Sequence, residues 1–402
     1  MPTPQRLNAV SGIELPLLAL NCGSSSLKFG LFQVSGAHTR CLLSGEAEGL
    51  GEALGSFHAV DARNEAVVRE ETTMANVGSA VQRIGRLLAE GEWPTPNAIG
   101  HRIVHGGPYL LQHCLIDPRV MELLKAAGEF APLHTPAAVA LIQYAVEHFV
   151  GLPQVACMDT CFHTSMPPVS RTLPLPQQAR ATGIERYGFH GLSCESIMRQ
   201  LGVVPPERLI IAHLGNGASI TAVHLGISID TSMGLTPTGG LIMGTRSGDL
   251  DPGVLVHLMR KMKWDAAAIE DLVDHRSGLL GVSGLSSDMR ELHAAAGSNS
   301  QAGLAIDMFC YAAAKEIGAM CVAMGGVDQI VFTGGIGEHD GLVRAQVCAK
   351  LSFLGVDLDE ERNQIGVGLI TRDSSGCSVQ VLPSQEDEQI ARHTWELCGL
   401  HA

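Results

Sequence analysis

Short apolar runs separated by small-residue turns recur along the chain. Leu17–Leu20 leads into the small and polar segment Asn21–Ser26, and the apolar pattern resumes over Leu27–Phe32. The same order returns much later, where Leu209–Ala212 leads into a glycine-containing turn and Ile220–Val223 follows it. Short apolar runs bounded by turn residues are typical of buried strands. Two such strand–turn–strand units predict a duplicated core, with one copy in each of two domains.

Helical periodicity occupies the stretches between and after these runs. Apolar residues three and four positions apart indicate helices that each bury one face. Strands that alternate with such helices predict an α/β fold. The predicted helices are Val120–Phe130, Pro136–Phe149, Asp251–Lys261, Ala302–Met324 and Glu386–Leu397, and the further predicted strands are Ala98–Val104, Val155–Met158 and Gln329–Thr333.

The length of the chain predicts two domains, because 402 residues exceed what one hydrophobic core usually holds. We place the domain change near Thr160–Pro168. The first predicted domain covers residues 1–162 and is completed by the C-terminal helix within residues 385–402. The second predicted domain covers residues 163–384. We expect the segment Met1–Leu15 to be a frayed extension.

Charge and composition argue against several classes of protein. A formal net charge of −14 disfavours a nucleic-acid partner or an anionic membrane surface. No apolar run is long enough to span a bilayer, and the first residues lack the apolar core of a signal peptide. We therefore expect a cytoplasmic protein. The eleven cysteines include no CxxC pair, so neither a disulfide framework nor a structural zinc site is expected.

Three segments rich in small residues follow predicted strands. Small residues allow backbone N–H groups to approach an anion, and serine hydroxyls and Lys28 add further donors in the first segment. Each segment alone is also compatible with a plain turn, and neither a P-loop nor a GxGxxG fingerprint occurs. Together they suggest a nucleotide bound between two domains. The segments are Asn21–Lys28, Gly215–Gly217 and Gly334–Glu338.

Two arginines are candidates to neutralise phosphate or carboxylate charge. Arg102 lies near the end of a predicted strand, and Arg246 lies in a loop of small residues, where its guanidinium has little apolar surface to cover. Asp288 and Arg290 offer a further pair in a predicted loop. No HExxH or GxSxG motif occurs, so a zinc hydrolase or a serine hydrolase has no support.

Side-chain oxygens suited to Mg²⁺ are also present. Asn21, Asp159 and Glu386 are candidates, because Mg²⁺ prefers hard oxygen ligands and keeps several waters. Spacing alone does not select the two acids among 41 acidic residues.

The chain resembles the acetokinase family, within the larger group of acetate and sugar kinases, heat-shock chaperones and actin, along nearly its whole length. The resemblance implies two duplicated actin-like ATPase domains of ribonuclease H-like fold, each a mixed sheet flanked by helices, with a nucleotide cleft between them. It also implies a homodimer formed through the second domain. The motifs that carry it are LALNCGSSSLKF, GHRIVHGG, APLH, MDTCFH, RYGFHGLS, IIAHLGNGAS, DTSMGLTPTGGLIMGTRSGDLDP, SGLLGVSGLSSDMREL and FTGGIGE.

The activity implied by this resemblance is reversible, in-line phosphoryl transfer from ATP to acetate, which gives acetyl phosphate and ADP. Mg²⁺, or Mn²⁺ in its place, would be the cofactor. Propionate or butyrate as the substrate stays open, because one methylene in an apolar pocket is worth only ~1–3 kcal/mol. An acyl-phosphate phosphatase and an ATP-dependent conformational module are further alternatives on the same fold.

Matched position by position, the resemblance implies a role for each catalytic and metal-binding residue. Arg102 would pair with the substrate carboxylate or the phosphoryl group, and His190 and Arg246 would stabilise the transition state. In the family Asp159 is a proton donor or acceptor. We interpret it as an orienting or metal-water residue, because acetate is already ionised at neutral pH and needs no strong base. The implied metal ligands are Asn21 and Glu386.

The resemblance implies binding residues as well. Besides Arg102, the residues implied to contact the substrate are apolar and would line a small pocket for its methyl group: Val104, Leu133, Phe189 and Pro237. The residues implied to bind the nucleotide are Ser24, Ser26, Lys28, His213, Leu214, Gly215, Asn216, Gly217, Asp288, Met289, Arg290, Gly335, Ile336, Gly337, Glu338 and His339.

Several positions depart from the family's pattern. Leu192 and Cys194 stand where the family shows Thr and His, and Thr238 lies in TPTGG where TPLEG is usual. His339 replaces an Asn, Gln385–Asp387 reads QED where NEE is usual, and APLHTPAA replaces a motif with two Asn. These changes leave every charge implied in catalysis in place. They bear on substrate size, nucleotide affinity and Mg²⁺ binding.

Overall fold

The computed structural model describes residues 14–399 except residues 24, 37 and 133. The chain divides into two compact units: the first unit holds the residues up to Cys161 and those from Gln385 onwards, and the second unit is Phe162–Ser384. Within the described residues, every helix is too short or too polar to cross a bilayer. The predictions for Ser24 and Leu133, and nearly all of the predicted extension, concern residues outside this description.

A mixed eight-stranded sheet is the centre of the first unit. Its strands are β1 (Leu15–Cys22), β2 (Ser26–Val34), β3 (Thr39–Glu48), β4 (Gly55–Asp61), β5 (Ala66–Thr72), β6 (Ala98–Ile103), β7 (Cys114–Leu115) and β8 (Gln154–Met158). The strand order is β5-β4-β3-β2-β1-β6-β8-β7. β1, β6 and β8 run parallel, and the remaining pairs are antiparallel. Leu17–Leu20 is fully buried, as expected for a strand covered on both faces.

Three helices connect strands of this sheet: α1 (Val77–Glu90) lies between β5 and β6, and α2 (Pro118–Ala127) and α3 (Thr135–His148) lie between β7 and β8. The side chains of Asn76 and Asp117 cap α1 and α2 by accepting from the N–H groups of Ser79 and Val120. α1 and α3 pack together. The apolar face of α1 contributes Val81 and Ile84 to the core that lies against β1 and β2.

The second unit is built on a mixed six-stranded sheet. Its strands are β9 (Arg208–Leu214), β10 (Ala218–His224), β11 (Ile227–Thr231), β12 (Gln329–Thr333), β13 (Gly368–Leu369) and β14 (Ser378–Val381). The order is β11-β10-β9-β12-β14-β13, with parallel pairing of β9 with β12 and of β12 with β14. The first sheet contains the same order in β3-β2-β1-β6-β8-β7, with the same parallel pairs. This repetition supports the predicted duplication.

Helices surround the second sheet. The 25-residue helix α11 (Ser300–Met324) packs on β9 and β10 and buries small and apolar side chains such as Ala305 and Phe309. The helices of this unit are α4 (Pro168–Arg171), α5 (Gln177–Arg180), α6 (Gly191–Leu201), α7 (Pro252–Met262), α8 (Ala266–His275), α9 (Gly278–Ser283), α10 (Met289–Ala295), α11 (Ser300–Met324), α12 (Gly334–His339), α13 (Gly341–Lys350) and α14 (Glu360–Ile365).

The C-terminal helix α15 (Glu386–Gly399) belongs to the first unit, where it packs on β1, β2, β6 and β8. The approach is close at Gly100 of β6, where an added Cβ would lie 2.6 Å from Ile390 Cγ2. Ile390 and Ala391 are fully buried. The N-terminus of α15 is thereby held at the sheet from which Asn21 and Arg102 project.

The predicted α/β class is confirmed, as are the five predicted helices with small shifts of their ends. Three local interpretations are wrong. Asn21 and Lys28 lie in strands, where they face each other in the β1–β2 register, so the first turn is shorter than predicted. Gly334–Glu338 belongs to helix α12 and is not a turn. Asp288 is the N-cap of helix α10, so Asp288–Arg290 is not in a loop.

Candidate active site

Three parallel strands of the first unit bring Asn21, Arg102 and Asp159 together. Asn21 lies near the end of β1, Arg102 near the end of β6, and Asp159 directly after β8. Because the carboxyl ends of parallel strands meet at one edge of a sheet, these side chains converge. Arg102 Nη2 donates to Asp159 Oδ2 at 2.7 Å, and Arg102 Nη1 donates to Asn21 Oδ1 at 3.3 Å. Asp159 is fully buried.

The first turn of α15 adds two carboxylates to this group. Asn21 Nδ2 donates to Glu386 Oε2 at 3.3 Å and to Asp387 Oδ1 at 3.1 Å. Burial raises the pKa of Asp387, the hydrogen bond from Asn21 opposes the rise, and the charge of Glu386 adds to it. Burial would lower the pKa of Arg102, but Asp159 and Glu386 outweigh burial and raise it. Arg102 therefore stays charged.

This donor set fits the Mg²⁺ that the resemblance implies. The carboxylates of Glu386 and Asp387 are hard oxygen donors, and both accept hydrogen bonds from Asn21 Nδ2. The amide oxygen of Asn21 is a further oxygen donor and accepts from Arg102 Nη1. Two neighbouring carboxylates repel each other unless a cation lies near them. Asn21, Glu386 and Asp387 are thus suited to hold Mg²⁺, and Asp387 is a member that the sequence prediction omitted.

His101 precedes Arg102 on β6, is fully buried, and has its Nε2 2.6 Å from Gln154 Oε1. Burial lowers its pKa to about 4 from the ordinary 6.5, although the hydrogen bond to Gln154 opposes the shift. Between these values the unfolded chain binds more protons than the folded chain. Neutral His101 therefore does not reduce the free energy of unfolding above about pH 6.5, and this free energy falls as the pH is lowered towards 4.

We predict that His101→Gln weakens the acid sensitivity of folding. The shift corresponds to about 3 kcal/mol of the free energy of unfolding lost by the wild type on acidification, and the variant should lack this loss. Urea unfolding at several pH values between 4 and 7 measures the difference. His38→Gln is the control, because His38 is exposed. Parallel pH profiles for wild type and His101→Gln would contradict the prediction.

Three further binding residues predicted in the first unit, Ser26, Lys28 and Val104, lie in or next to the strands that carry Asn21 and Arg102. Lys28 is exposed on β2 and is the register partner of Asn21, and Ser26 begins the same strand. Val104 is half-buried directly after β6. These positions are compatible with the predicted contacts to nucleotide and substrate, which stay predictions.

In the second unit His190 and His213 form a stacked pair. The ring centroids lie 4.1 Å apart, and His190 Nδ1 lies 2.9 Å from Ser219 Oγ. His190 has a left-handed backbone with φ of 58° immediately before α6. A residue with a side chain at positive φ is strained, and such strain occurs often at functional sites. The ring of His190 is therefore held by its backbone, by Ser219 and by His213.

His190 and Arg246 both approach Gly217, which lies in the turn between β9 and β10. A Cβ atom at Gly217 would lie 3.2 Å from His190 Nε2 and 3.5 Å from Arg246 Nη1. Arg246 Nη1 also donates to the carbonyl oxygen of Pro237 at 3.3 Å. Pro237 and Phe189 are buried. One imidazole and one guanidinium thus lie beside the same half-buried glycine.

The other residues of the β9–β10 turn that are predicted to bind the nucleotide differ in solvent exposure. Asn216 is exposed and Gly215 is half-buried, while the side chain of Leu214 is in the core. A Cβ at Gly215 would lie 3.8 Å from the backbone N of Gly335. The β9–β10 turn therefore lies next to the N-terminus of α12, and Leu214 has only its backbone to offer.

Helix α12 is stabilised at both ends by side chains. Glu338 Oε1 accepts from the N–H groups of Gly334, at 3.0 Å, and Ser384, at 2.8 Å. Arg344 Nη1 donates to the carbonyl oxygens of Gly337 and Glu338, both at 2.8 Å. The carboxylate of Glu338 is therefore engaged by the protein's own backbone. Gly335 and His339 are exposed and Ile336 is half-buried.

Asp288 and Arg290 pair with each other at the start of α10, with Arg290 Nη2 2.5 Å from Asp288 Oδ2. The hydrogen bond from Arg290 lowers the pKa of Asp288. The side chain of Met289 is buried, so only its backbone can reach a ligand. The predicted pair is confirmed. Its contact with a nucleotide stays a prediction.

A family model described as the acetokinase family matches residues 16–392. The chain belongs to the acetokinase family. The predicted resemblance is confirmed, because the match covers almost the whole chain.

Two curated relatives agree with this membership. Acetate kinase of Rhodopseudomonas palustris is 40% identical over 392 residues, which are 95% of this chain and 98% of the relative. Acetate kinase 2 of Neisseria meningitidis serogroup B is 42% identical over 400 residues, with 96% and 98% covered.

Solved structures agree with the acetokinase fold. Acetate kinase of Porphyromonas gingivalis is similar with a TM-score of 0.85 and 37% identity, covering 96% of this chain and 100% of that one. A propionate kinase of Francisella tularensis has a TM-score of 0.88 and 36% identity, covering 95% and 100%. The mixed sheets flanked by helices are therefore the fold of this family.

The sequence did not predict several residues that hydrogen-bond to the predicted site residues or to helix α12. Asp387 is adjacent to the predicted Glu386, so the QED motif contained a signal for it. Ser219 and Ser193 lie inside the quoted motifs IIAHLGNGAS and RYGFHGLS, but a buried serine has no distinctive pattern. Arg344 lies outside every motif. Its importance depends on burial and partners, which only the fold reveals.

Proposed function

We propose that this acetokinase-family protein reversibly transfers a phosphoryl group from ATP to acetate, giving acetyl phosphate and ADP, in the cytoplasm and with Mg²⁺. The observation that carries the proposal is the approach of His190 and Arg246 to the backbone of Gly217. Phosphoryl transfer needs alignment and neutralisation of charge on the equatorial oxygens, with little covalent chemistry from the protein. The guanidinium of Arg246 and the imidazole of His190, which lie beside Gly217, are suited to neutralise this charge.

Arg102 is proposed to bind the carboxylate of acetate. Its guanidinium stays charged and is oriented by the 2.7 Å bond to Asp159 and by Asn21. We propose that Asp159 acts as a positioning residue for Arg102 and not as a base, because the acetate oxygen that attacks is already ionised at pH 7. Asn21, Glu386 and Asp387 would hold Mg²⁺, which supplies positive charge to the phosphates when bound.

The nucleotide is proposed to bind along the glycine segments and the basic residues near them. Backbone N–H groups of the β9–β10 turn and of the start of α12 would contact phosphate oxygens. The full set is Ser24, Ser26, Lys28, His213, Leu214, Gly215, Asn216, Gly217, Asp288, Met289, Arg290, Gly335, Ile336, Gly337, Glu338 and His339. Glu338 is proposed to act by ordering α12, because its carboxylate already binds two backbone N–H groups.

Propionate is the second candidate substrate, since a solved propionate kinase has a TM-score of 0.88 with this chain. The residues proposed to contact the methyl group of the substrate are Val104, Leu133, Phe189 and Pro237. One methylene changes the free energy of binding by only ~1–3 kcal/mol in such a pocket. We propose acetate because the named relatives with about 40% identity are acetate kinases.

A hydroxamate assay with ATP, Mg²⁺ and formate, acetate, propionate or butyrate tests the proposal. We expect kcat/KM to be highest for acetate. A coupled assay with acetyl phosphate and ADP should produce ATP. Release of inorganic phosphate without ATP formation would instead identify an acyl-phosphate phosphatase. ATP binding without turnover of any of the four carboxylates would identify a conformational module.

We also propose that the protein is a homodimer through helix α7 of the second unit. Val256, Met259 and Met262 are three positions apart and between 42% and 52% exposed, and the helix has no buried residue. An apolar helix face without a cover within its own unit is typical of an interaction surface. A second copy of this chain is the occupant we propose.

The double substitution Val256→Glu and Met259→Glu should produce a monomer. Placing two carboxylates in an apolar interface costs several kcal/mol by desolvation alone, so we expect dimerisation to be lost at micromolar concentration. Light scattering coupled to gel filtration measures the mass. Val150→Glu is the matched control, because Val150 is 82% exposed in the first unit. An unchanged dimer mass in the double variant would exclude α7 as the interface.

A further inference from the structure

The ring of His213 lies at the junction between His190 and the two glycine segments of the second unit. One face of the ring stacks on His190, with 4.1 Å between centroids. Its Nδ1 lies 2.8 Å from Ser193 Oγ. Its Nε2 edge is turned towards the glycines, since a Cβ atom would lie 3.1 Å from Nε2 at Gly334 and 3.8 Å from it at Gly215.

Two serine hydroxyls form a chain of hydrogen bonds that ends at Nδ1 of His213. Ser384 Oγ donates to Ser193 Oγ at 3.1 Å. A hydroxyl has one hydrogen, so Ser193 can accept from Ser384 and still donate its own hydrogen to His213 Nδ1. A neutral imidazole that accepts at Nδ1 carries its proton on Nε2. Because Ser193 accepts from Ser384, the hydrogen of Ser193 is available for His213 Nδ1, and this arrangement favours the Nε2–H tautomer.

The same arrangement is tied to the start of α12. Glu338 Oε1 accepts from the N–H of Ser384 at 2.8 Å and from the N–H of Gly334 at 3.0 Å. The carboxylate of Glu338 thus links Ser384, which donates to Ser193, to Gly334, which lies next to His213 Nε2. The donor of His213 and the N-terminus of α12 are consequently held in one fixed arrangement.

We propose that Ser193 and Ser384 are positioning residues that hold His213 as the Nε2–H tautomer. His213 then directs one N–H donor at a phosphate oxygen of the nucleotide beside Gly215 and Gly334. This inference rests on the proposed function for the identity of the nucleotide. A donor that is fixed before binding needs no reorientation when the charged ligand arrives, which makes its hydrogen bond more favourable.

The variant Ser193→Ala removes the hydrogen that Nδ1 accepts. With ¹⁵N-labelled histidine, two-bond proton–nitrogen spectra report the tautomer, and His213→Gln assigns the signal. We expect the wild-type chain to show the Nε2–H form and Ser193→Ala to show a mixture. Loss of one oriented hydrogen bond should raise the Kd for Mg·ADP about tenfold, with the KM for acetate unchanged.

Ser196→Ala is the matched control. Ser196 is fully buried on the same helix as Ser193, and its hydroxyl donates to the backbone oxygen of Ser193 at 2.8 Å. We expect this variant to keep both the tautomer and the Kd for Mg·ADP. If Ser193→Ala does not fold, the variant Ser384→Ala is tested instead, because Ser384 is only half-buried. It should shift the tautomer in the same direction and raise the Kd for Mg·ADP about threefold.

Three results would overturn the inference. They are a wild-type signal of the Nδ1–H form, a weaker Kd in Ser193→Ala without a change of tautomer, and equal effects of Ser193→Ala and Ser196→Ala. Failure of the proposed function is a separate outcome. It would appear as no turnover of any carboxylate while tautomer and Mg·ADP affinity still respond to Ser193→Ala as expected.

Discussion

Arg246→Ala should lower kcat for acetyl phosphate formation by about a thousandfold while the Kd for Mg·ADP changes little. An arginine that contacts a transferring phosphoryl group contributes about 10³–10⁵ to kcat in enzymes of this chemistry. Here the guanidinium approaches Gly217 beside His190 and is oriented by the carbonyl of Pro237. Its effect is expected in the transition state, because charge on the equatorial oxygens is redistributed there.

Arg246→Lys separates charge from geometry in the same assay. Lysine keeps a positive charge but cannot make two parallel hydrogen bonds, so we expect an intermediate rate. Arg119→Ala is the control, since Arg119 is exposed on α2, and it should have wild-type kinetics. Hydroxamate formation at saturating ATP and acetate provides kcat. A wild-type kcat in Arg246→Ala would remove the central assignment of the proposed function.

Arg344→Met should lower the free energy of unfolding by about 4 kcal/mol, because it leaves several buried acceptors without a donor. Arg344 is 1% exposed. It donates to Asn363 Oδ1 at 2.8 Å, to the Asn363 carbonyl oxygen at 2.6 Å, and to two carbonyl oxygens at the end of α12. Methionine fills a similar length but donates no hydrogen bond.

Urea unfolding at neutral pH measures this effect, and Mg·ADP binding measures its consequence for α12. Arg372→Met is the matched control, because the Arg372 side chain is 57% exposed, and it should change the free energy of unfolding by less than about 0.5 kcal/mol. Equal losses in the two variants would show that the buried hydrogen bonds of Arg344 do not stabilise the fold.

The difference between α12 and its predicted turn has a physical cause. Glycine has the poorest helix propensity apart from proline, so Gly334-Gly335-Ile336-Gly337 locally indicates a turn. In the fold, Glu338 binds the N–H of Gly334, and Arg344 binds the last carbonyl groups. Tertiary hydrogen bonds at both ends thus outweigh local propensity, and the arginine that supplies them lies in the following helix.

Strands β3, β4 and β5 show a second limit of local reasoning. They extend the first sheet by antiparallel pairing, but β5 reads AVVREET and has no buried residue. Its only apolar residues, at positions 66–68, are exposed or half-buried, and the rest of the strand is polar, so no buried run predicts it. Its conformation depends on the ladder of hydrogen bonds that β4 offers.

The sequence alone was sufficient for the central buried strands, five of the helices, the α/β class and the family, because short-range apolar patterns and long motifs carry that information. The amphipathic helix α1 was not predicted. The fold decided which polar side chains meet. Arg102 meets Asp159, Asn21 meets Glu386 and Asp387, and Ser193 meets Ser384 only because separate strands and helices end at the same place. Such contacts join residues far apart in the chain, and no local pattern encodes the distance between them.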